Sequence, residues 1–116
     1  MLAAVGLSWK DTKTRCPEGI VAACHNGSDS VTISGLYDDM CKFVEQLKSD
    51  NVFVRKVQGG EYPYHSHHMN AVAKELLDAL NRVIQKPKQR SKKWISTSVP
   101  KSEWEEEKAK YASGVH

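Results

Sequence analysis

A chain of 116 residues with 40% apolar content, seven glycines and four prolines is long enough for one ordered domain, which excludes a disordered class. Its formal charge of +3 is local: Lys86, Lys88, Arg90, Lys92 and Lys93 crowd one segment and Glu103, Glu105, Glu106 and Glu107 the next, so the net charge selects no partner. Residues 1–6 are small and apolar and read as a strand. They lack the basic flank of a leader, and no run elsewhere reaches the length of a bilayer crossing, so a soluble, unprocessed, cytoplasmic chain with no membrane partner is expected. Ser8 can cap a short helix with Trp9, Thr12 and Cys16 on one face, which Pro17 ends. Residues 19–25 (GIVAACH) form a β-rich apolar run, HNGSDS a turn, and residues 30–34 (SVTIS) alternate with Val31 and Ile33 inward, the pattern of a hairpin. Asp38 and Asp39 stand where a helix start favours carboxylates, and Met40, Phe43, Val44 and Leu47 repeat at helical spacing until Ser49, Asp50 and Asn51 break it. Residues 52–57 (VFVRKV) read as a strand. The order βαββαβ over residues 1–60 is the ferredoxin-like arrangement, and the fold class is α+β.

The second half, residues 61–116, reads differently. Met69, Val72, Ala73, Leu76, Leu77, Leu80, Val83 and Ile84 form a broad apolar stripe on a long helix that demands a partner surface and stops at Pro87. A basic linker, read as solvated, leads to residues 94–99 (WISTSV), which look like another strand, and Trp104 opens a charged helical stretch. These pieces suit a second layer whose other members are not in the sequence, so a portion of something larger is expected.

Between the halves lies GGEYPYHSHHM, residues 59–69. Gly59 and Gly60 permit backbone angles closed to other residues, Pro63 stiffens the approach, and Ser66 can cap the helix that follows. His65 is thereby delivered to the mouth of that helix, and imidazole is the side chain whose ordinary pKa suits proton transfer near neutral pH. The bland alternative is a solvated histidine. His65 and His68 could share a helix face as metal ligands, but a further ligand at motif spacing is missing, and no metal is expected. Cys16, Cys24 and Cys41 are odd in number, widely spaced and form no CxxC pair, which argues for reduced thiols; Cys24, in an apolar strand, reads as a small core residue.

Taken in order, GLSWKDTKTRCPEGIVAACHN, SVTISG, KFVEQLKSDNVFVRKV, HSHHMNAVAKELLDAL and RSKKWISTSVP resemble the malonyl/acetyl transferase domain of animal-type fatty acid synthase. The resemblance implies a ferredoxin-like small subdomain, residues 1–60, inserted into an α/β-hydrolase-like large subdomain to which residues 61–116 return, with the active site in the cleft between them. It implies that Tyr64, His65 and Ser66 stand for the family's Phe-His-Ser, with His65 the catalytic base and Tyr64 adding a hydroxyl to the acyl pocket wall. Asn26, in the turn of CHN, is a further candidate substrate-binding group; read without the family it is an ordinary turn residue. The implied reaction is ping-pong transfer of acetyl or malonyl groups from CoA, through an acyl-serine, to the phosphopantetheine thiol of an acyl carrier protein. The implied partners are acetyl-CoA, malonyl-CoA, the carrier protein and the rest of a homodimeric synthase; acyl-CoA and phosphopantetheine are substrates, and no cofactor is bound by this segment.

The sequence departs from the family in having no Gly-x-Ser-x-Gly: Gly6-Leu7-Ser8 is followed by Lys10 where glycine should stand. The nucleophile, the arginine that would hold a malonyl carboxylate and the oxyanion-hole backbone are all absent, so the 116 residues alone are not expected to turn over. A polyketide synthase acyltransferase shares the implied architecture and is the nearest alternative. A free-standing ferredoxin-like RNA-binding module is the other, and GIVAACH and SVTIS lack the aromatic residues such a sheet uses for base stacking.

Overall fold

The computed structural model describes residues 1–58, 61–95 and 100–106. It divides into two compact units, Met1–Ala71 and Val72–His116. In the first, β1 (Leu2–Val5), α1 (Trp9–Arg15), β2 (Ile20–Gly27), β3 (Ser30–Gly35), α2 (Tyr37–Ser49) and β4 (Val54–Lys56) follow one another in the βαββαβ order read from the sequence. The strands form one antiparallel sheet in the spatial order β2-β3-β1-β4, the ferredoxin-like arrangement.

Local chemistry explains the helix boundaries. The Ser8 hydroxyl accepts from the Asp11 amide at 3.1 Å and donates to its carboxylate at 2.6 Å, closing the first turn of α1. Thr12, buried on the inner face, satisfies its hydroxyl by donating to the Ser8 carbonyl at 2.8 Å. Asp38 and Asp39 lie in the first turn of α2, where exposed N–H groups favour carboxylates. That helix stops in a Schellman motif: Asn51 takes φ 58°, its N–H bonds the Lys48 carbonyl at 3.0 Å, and the Val52 N–H bonds the Leu47 carbonyl at 2.9 Å. Asparagine tolerates this left-handed angle better than most side chains.

Both helices pack on one side of the sheet. Alternation along the strands sends Ala3 and Val5 of β1 and Val31 and Ile33 of β3 to that side, where they meet Met40, Phe43, Val44 and Leu47 of α2, all buried. The register places Ala3 opposite Ile33 and Val5 opposite Val31, so the centre of the sheet is one continuous apolar patch. Gly35 is required by close approach: a Cβ there would meet the Gly19 carbonyl oxygen and Ile20 Cγ1 at 3.0 Å and Met40 Cγ at 3.2 Å. Pairing of β2 with β3 slips twice, leaving Ala23 and Asn26 as extra residues in β2. β4 is shorter than the expected 52–57, although the Phe53 carbonyl and the Val57 N–H still bond Gly6 and Leu2.

In the second unit, the main body of α3 (Asn70–Val83) carries the expected stripe, with Val72, Leu76, Val83 and Ile84 exposed. The segment after Pro87 is not simply a solvated linker. Arg90 donates to the Trp94 carbonyl at 2.7 Å and the Trp104 carbonyl at 2.9 Å, and its guanidinium lies 5.1 Å from the Trp104 ring centroid. With its carbonyl held by Arg90, Trp104 ends a 3-10 turn, Lys101–Glu103, and opens no helix before residue 106. Trp94 and Ile95 belong to no strand, and residues 96–99 of the expected strand and residues beyond 106 of the expected helix lie outside the described residues.

Two outcomes follow from this packing. Ile33→Ala, at a position 0% exposed, should lower the unfolding free energy in urea by about 2–5 kcal/mol, the range for emptying a core site; a loss under about 1 kcal/mol would contradict the central place given to β3. Cys16, half-buried beside the core, has its thiol pushed from 9.0 up to about 11 by burial. The folded chain therefore holds that proton where the unfolded chain releases it, a contribution present below pH 9.0 and lost as pH rises through about 11. Stability should fall across that window, and Cys16→Ser should flatten the fall in urea titrations repeated at stepped pH.

Candidate functional site

The candidate site lies on the face of the sheet opposite α1 and α2. On β3, Thr32 and Ser34 alternate with the core residues Val31 and Ile33 and so face away from the helices. Ser34 is nonetheless 0% exposed, because the loop that begins at Glu61 lies over it. The Ser34 hydroxyl donates to the Tyr64 carbonyl oxygen at 2.6 Å, across 30 residues of sequence. The main-chain nitrogen of Met1 bonds the Gly35 carbonyl at 2.6 Å and the Glu61 carbonyl at 3.2 Å, a second tie between sheet and loop.

Within the loop the Tyr64 N–H bonds the Tyr62 carbonyl at 3.0 Å, and the two tyrosine rings stand 6.0 Å apart at 57°. His65 follows at φ 58°, a left-handed angle that costs a side-chain-bearing residue about 1–2 kcal/mol and persists only where surrounding bonds enforce it. The expected cap does not form. Ser66 occupies the N-cap position, but its hydroxyl turns back to the Pro63 carbonyl at 2.5 Å, and a 3-10 turn, His67–Met69, intervenes before α3. The physical reason is the left-handed turn at His65, which aims Ser66 back along the loop. Gly59 and Gly60 lie outside the described residues.

The imidazole of His65 is exposed and has no hydrogen-bond partner among the described residues. Tyr64 is 41% exposed beside it. Asn26 is not in a turn: β2 runs on through Gly27, and the Asn26 amide donates to the Thr32 hydroxyl at 2.9 Å. That bond puts Asn26 on the same sheet face as Ser34. Thr32 and Ser34 are two residues apart on β3, so Asn26 and the Tyr64 carbonyl are anchored about 7 Å apart along one strand.

His67 and His68 pack ring against ring at 4.1 Å, with Nε2 of His68 buried and unpaired among the described residues. No group of three or more His, Cys, Asp or Glu side chains is arranged to hold a metal among the described residues. Cys24 lies partly buried in β2, and His25 stacks on Trp9 of α1 at 5.3 Å. Among the described residues no helix is long and apolar enough to cross a membrane. Ser34 is the residue sequence reasoning missed. Alternation places it outward, where a strand serine reads as solvated, and only the fold brings the loop onto it.

Residues 1–115 match the acyl transferase domain family. The squalestatin tetraketide synthase of Phoma sp. is 34% identical over 119 aligned positions, covering 99% of this chain and 4% of that protein. The highly reducing polyketide synthase cnsI of Penicillium expansum is 46% identical over 77 positions, covering 63% of this chain and 3% of that protein. Among solved structures, the acyltransferase domain from module 8 of the salinomycin polyketide synthase superposes with a TM-score of 0.64 at 22% identity, over 69% of this chain and 19% of that one. This likeness extends the α+β reading from the strand order to the acyltransferase fold. The chain thus spans a few per cent of such synthases and about a fifth of that domain. On the match over residues 1–115, together with the fold that carries His65, the chain belongs to the acyl transferase domain family.

Proposed function

We propose that this segment supplies the general base and one wall of the acyl site of a polyketide-synthase-type acyltransferase. The observation that carries it is His65, held at a left-handed angle on a loop fastened to the sheet face opposite α1 and α2, within a chain of this family. His65 takes the proton of a serine hydroxyl supplied by sequence outside these 116 residues, and that oxygen attacks the thioester carbonyl of an acyl-CoA. The imidazolium returns the proton to the departing CoA sulfur as the tetrahedral intermediate collapses to an acyl-serine. In the second half the imidazole removes the thiol proton of a carrier protein's phosphopantetheine, sulfur attacks the acyl-serine, and the proton goes back to the serine oxygen. No cofactor enters; acyl-CoA and phosphopantetheine are substrates. Tyr64 and Asn26 line the acyl side, and the rest of a homodimeric, cytoplasmic synthase is the remaining partner.

The polyketide synthase setting rests on relatives such as those of Phoma and Penicillium, at 34% and 46% identity. The animal-type fatty acid synthase reading keeps the same residues and chemistry and differs in the acyl group: acetyl and malonyl alone. A profile across acetyl-, malonyl- and substituted malonyl-CoA separates the two. The RNA-binding reading has less support, since none of the four strands carries Phe, Tyr or Trp.

His65→Ala in the complete acyltransferase containing this segment should lower acyl-serine formation and transfer to carrier by about 10²–10⁴-fold, the usual worth of a general base, with circular dichroism unchanged. Undiminished loading in that variant would overturn the assignment. The 116-residue chain by itself should form no acyl adduct with malonyl-CoA by intact-mass measurement, and a stoichiometric adduct would show that the nucleophile lies within it.

A further inference from the structure

We infer that Ser34 is a positioning residue for His65. The inference rests on the reading of His65 as the base and adds a residue to which neither the family match nor the loop sequence assigns a role. The Tyr64 carbonyl belongs to the peptide group whose nitrogen is that of His65, so whatever holds this oxygen sets the plane from which the imidazole departs. Ser34 Oγ holds it at 2.6 Å, short for a hydroxyl bond, from a position 0% exposed where water cannot substitute for the donor.

The other bond that ties the loop to the sheet, from the Met1 nitrogen to the Glu61 carbonyl at 3.2 Å, meets the loop four residues before His65, and the bonds nearer to His65 are local. Tyr64 to Tyr62 and Ser66 to Pro63 fix the shape of the turn, but they would move with it as a body. Ser34 stands between two tightly packed residues of β3. Ile33 before it is sealed in the core, and Gly35 after it is packed against Gly19, Ile20 and Met40. Its hydroxyl therefore carries the rigidity of the core to the residue before the base, and the left-handed angle at His65 is the strain that this bond helps to enforce. A base misplaced by about an ångström loses up to about a hundredfold in rate, so the bond should appear in turnover and not in substrate affinity.

The test uses the complete acyltransferase that carries this segment, with malonyl-CoA and carrier protein. Ser34→Ala should lower kcat about tenfold to a hundredfold with KM within about twofold, and Ser34→Thr, which keeps the hydroxyl, should restore it. Should Ser34→Ala lower the melting temperature, Ser34→Cys, close in volume but a weak donor, takes its place under the same criteria. In the 116-residue chain, the backbone order parameter of His65 should fall from about 0.85 towards 0.6 in the alanine variant while residues of β3 stay rigid. A wild-type kcat in both the alanine and the cysteine variants, or a threonine variant that folds but is no faster than alanine, would overturn the inference. His65→Ala run alongside separates the two claims: if it loads normally, the reading of the base fails, and if it is dead while Ser34→Ala is unimpaired, only the positioning role fails.

Discussion

In the first unit α1 and α2 both lie on one face of four strands, and the candidate site depends on that asymmetry. Because side chains alternate along a strand, the same β3 that drives Val31 and Ile33 into the core presents Thr32 and Ser34 to the opposite side. A single strand thereby serves two environments. Its apolar residues stabilise the unit, and its hydroxyl residues hold what lies on the other face, Asn26 at Thr32 and the Tyr64 carbonyl at Ser34. A slip of one residue in the pairing of β1 with β3 would exchange the faces and destroy both at once. The register is therefore fixed by the core and inherited by the site.

The first half of the fold is legible in the sequence because its signals are local. Ser8 caps where a cap is expected, the four apolar residues of α2 are the four that are buried, and Ser49, Asp50 and Asn51 end that helix. Each rests on spacing or on one residue's chemistry. The misses differ in kind. Asn26 sits in a strand because β2 absorbs an extra residue, which no alternation count foretells. Ser66 fails to cap because the left-handed turn at His65 points its hydroxyl to Pro63, and Arg90 leaves solvent because Trp104, 14 residues on, offers a carbonyl and a ring. At Asn26 and Arg90 a partner further along the chain overrides a local preference, and at Ser66 one local bond displaces another.

The site divides along the same line. His65 is singled out by the chemistry of imidazole and the loop around it, while its reading as a base rests on the resemblance carried by stretches spread along the chain. What could not be read was how the loop is held, because a bond between Ser34 and Tyr64 spans 30 residues and leaves no periodic trace. Glycine at 59 and 60 suggested where the chain would turn. The residue that turns, among those described, is His65 itself. Strain at that position is informative for this reason: a left-handed histidine is held by its surroundings, and the surroundings include a buried hydroxyl.

The two irregularities in β2 bear on how such a sheet meets other chains. β2 and β4 are the outer strands, and an outer strand with free backbone groups is a template on which another chain can add. Ala23 and Asn26 interrupt the hydrogen-bonding repeat of β2, and β4 offers only three residues, two of them Arg55 and Lys56. Neither border presents a long, flat, apolar run. Strand edges are exposed to other chains while a protein folds, and a small sheet whose borders are kinked on one side and short and cationic on the other resists being stitched to the wrong strand.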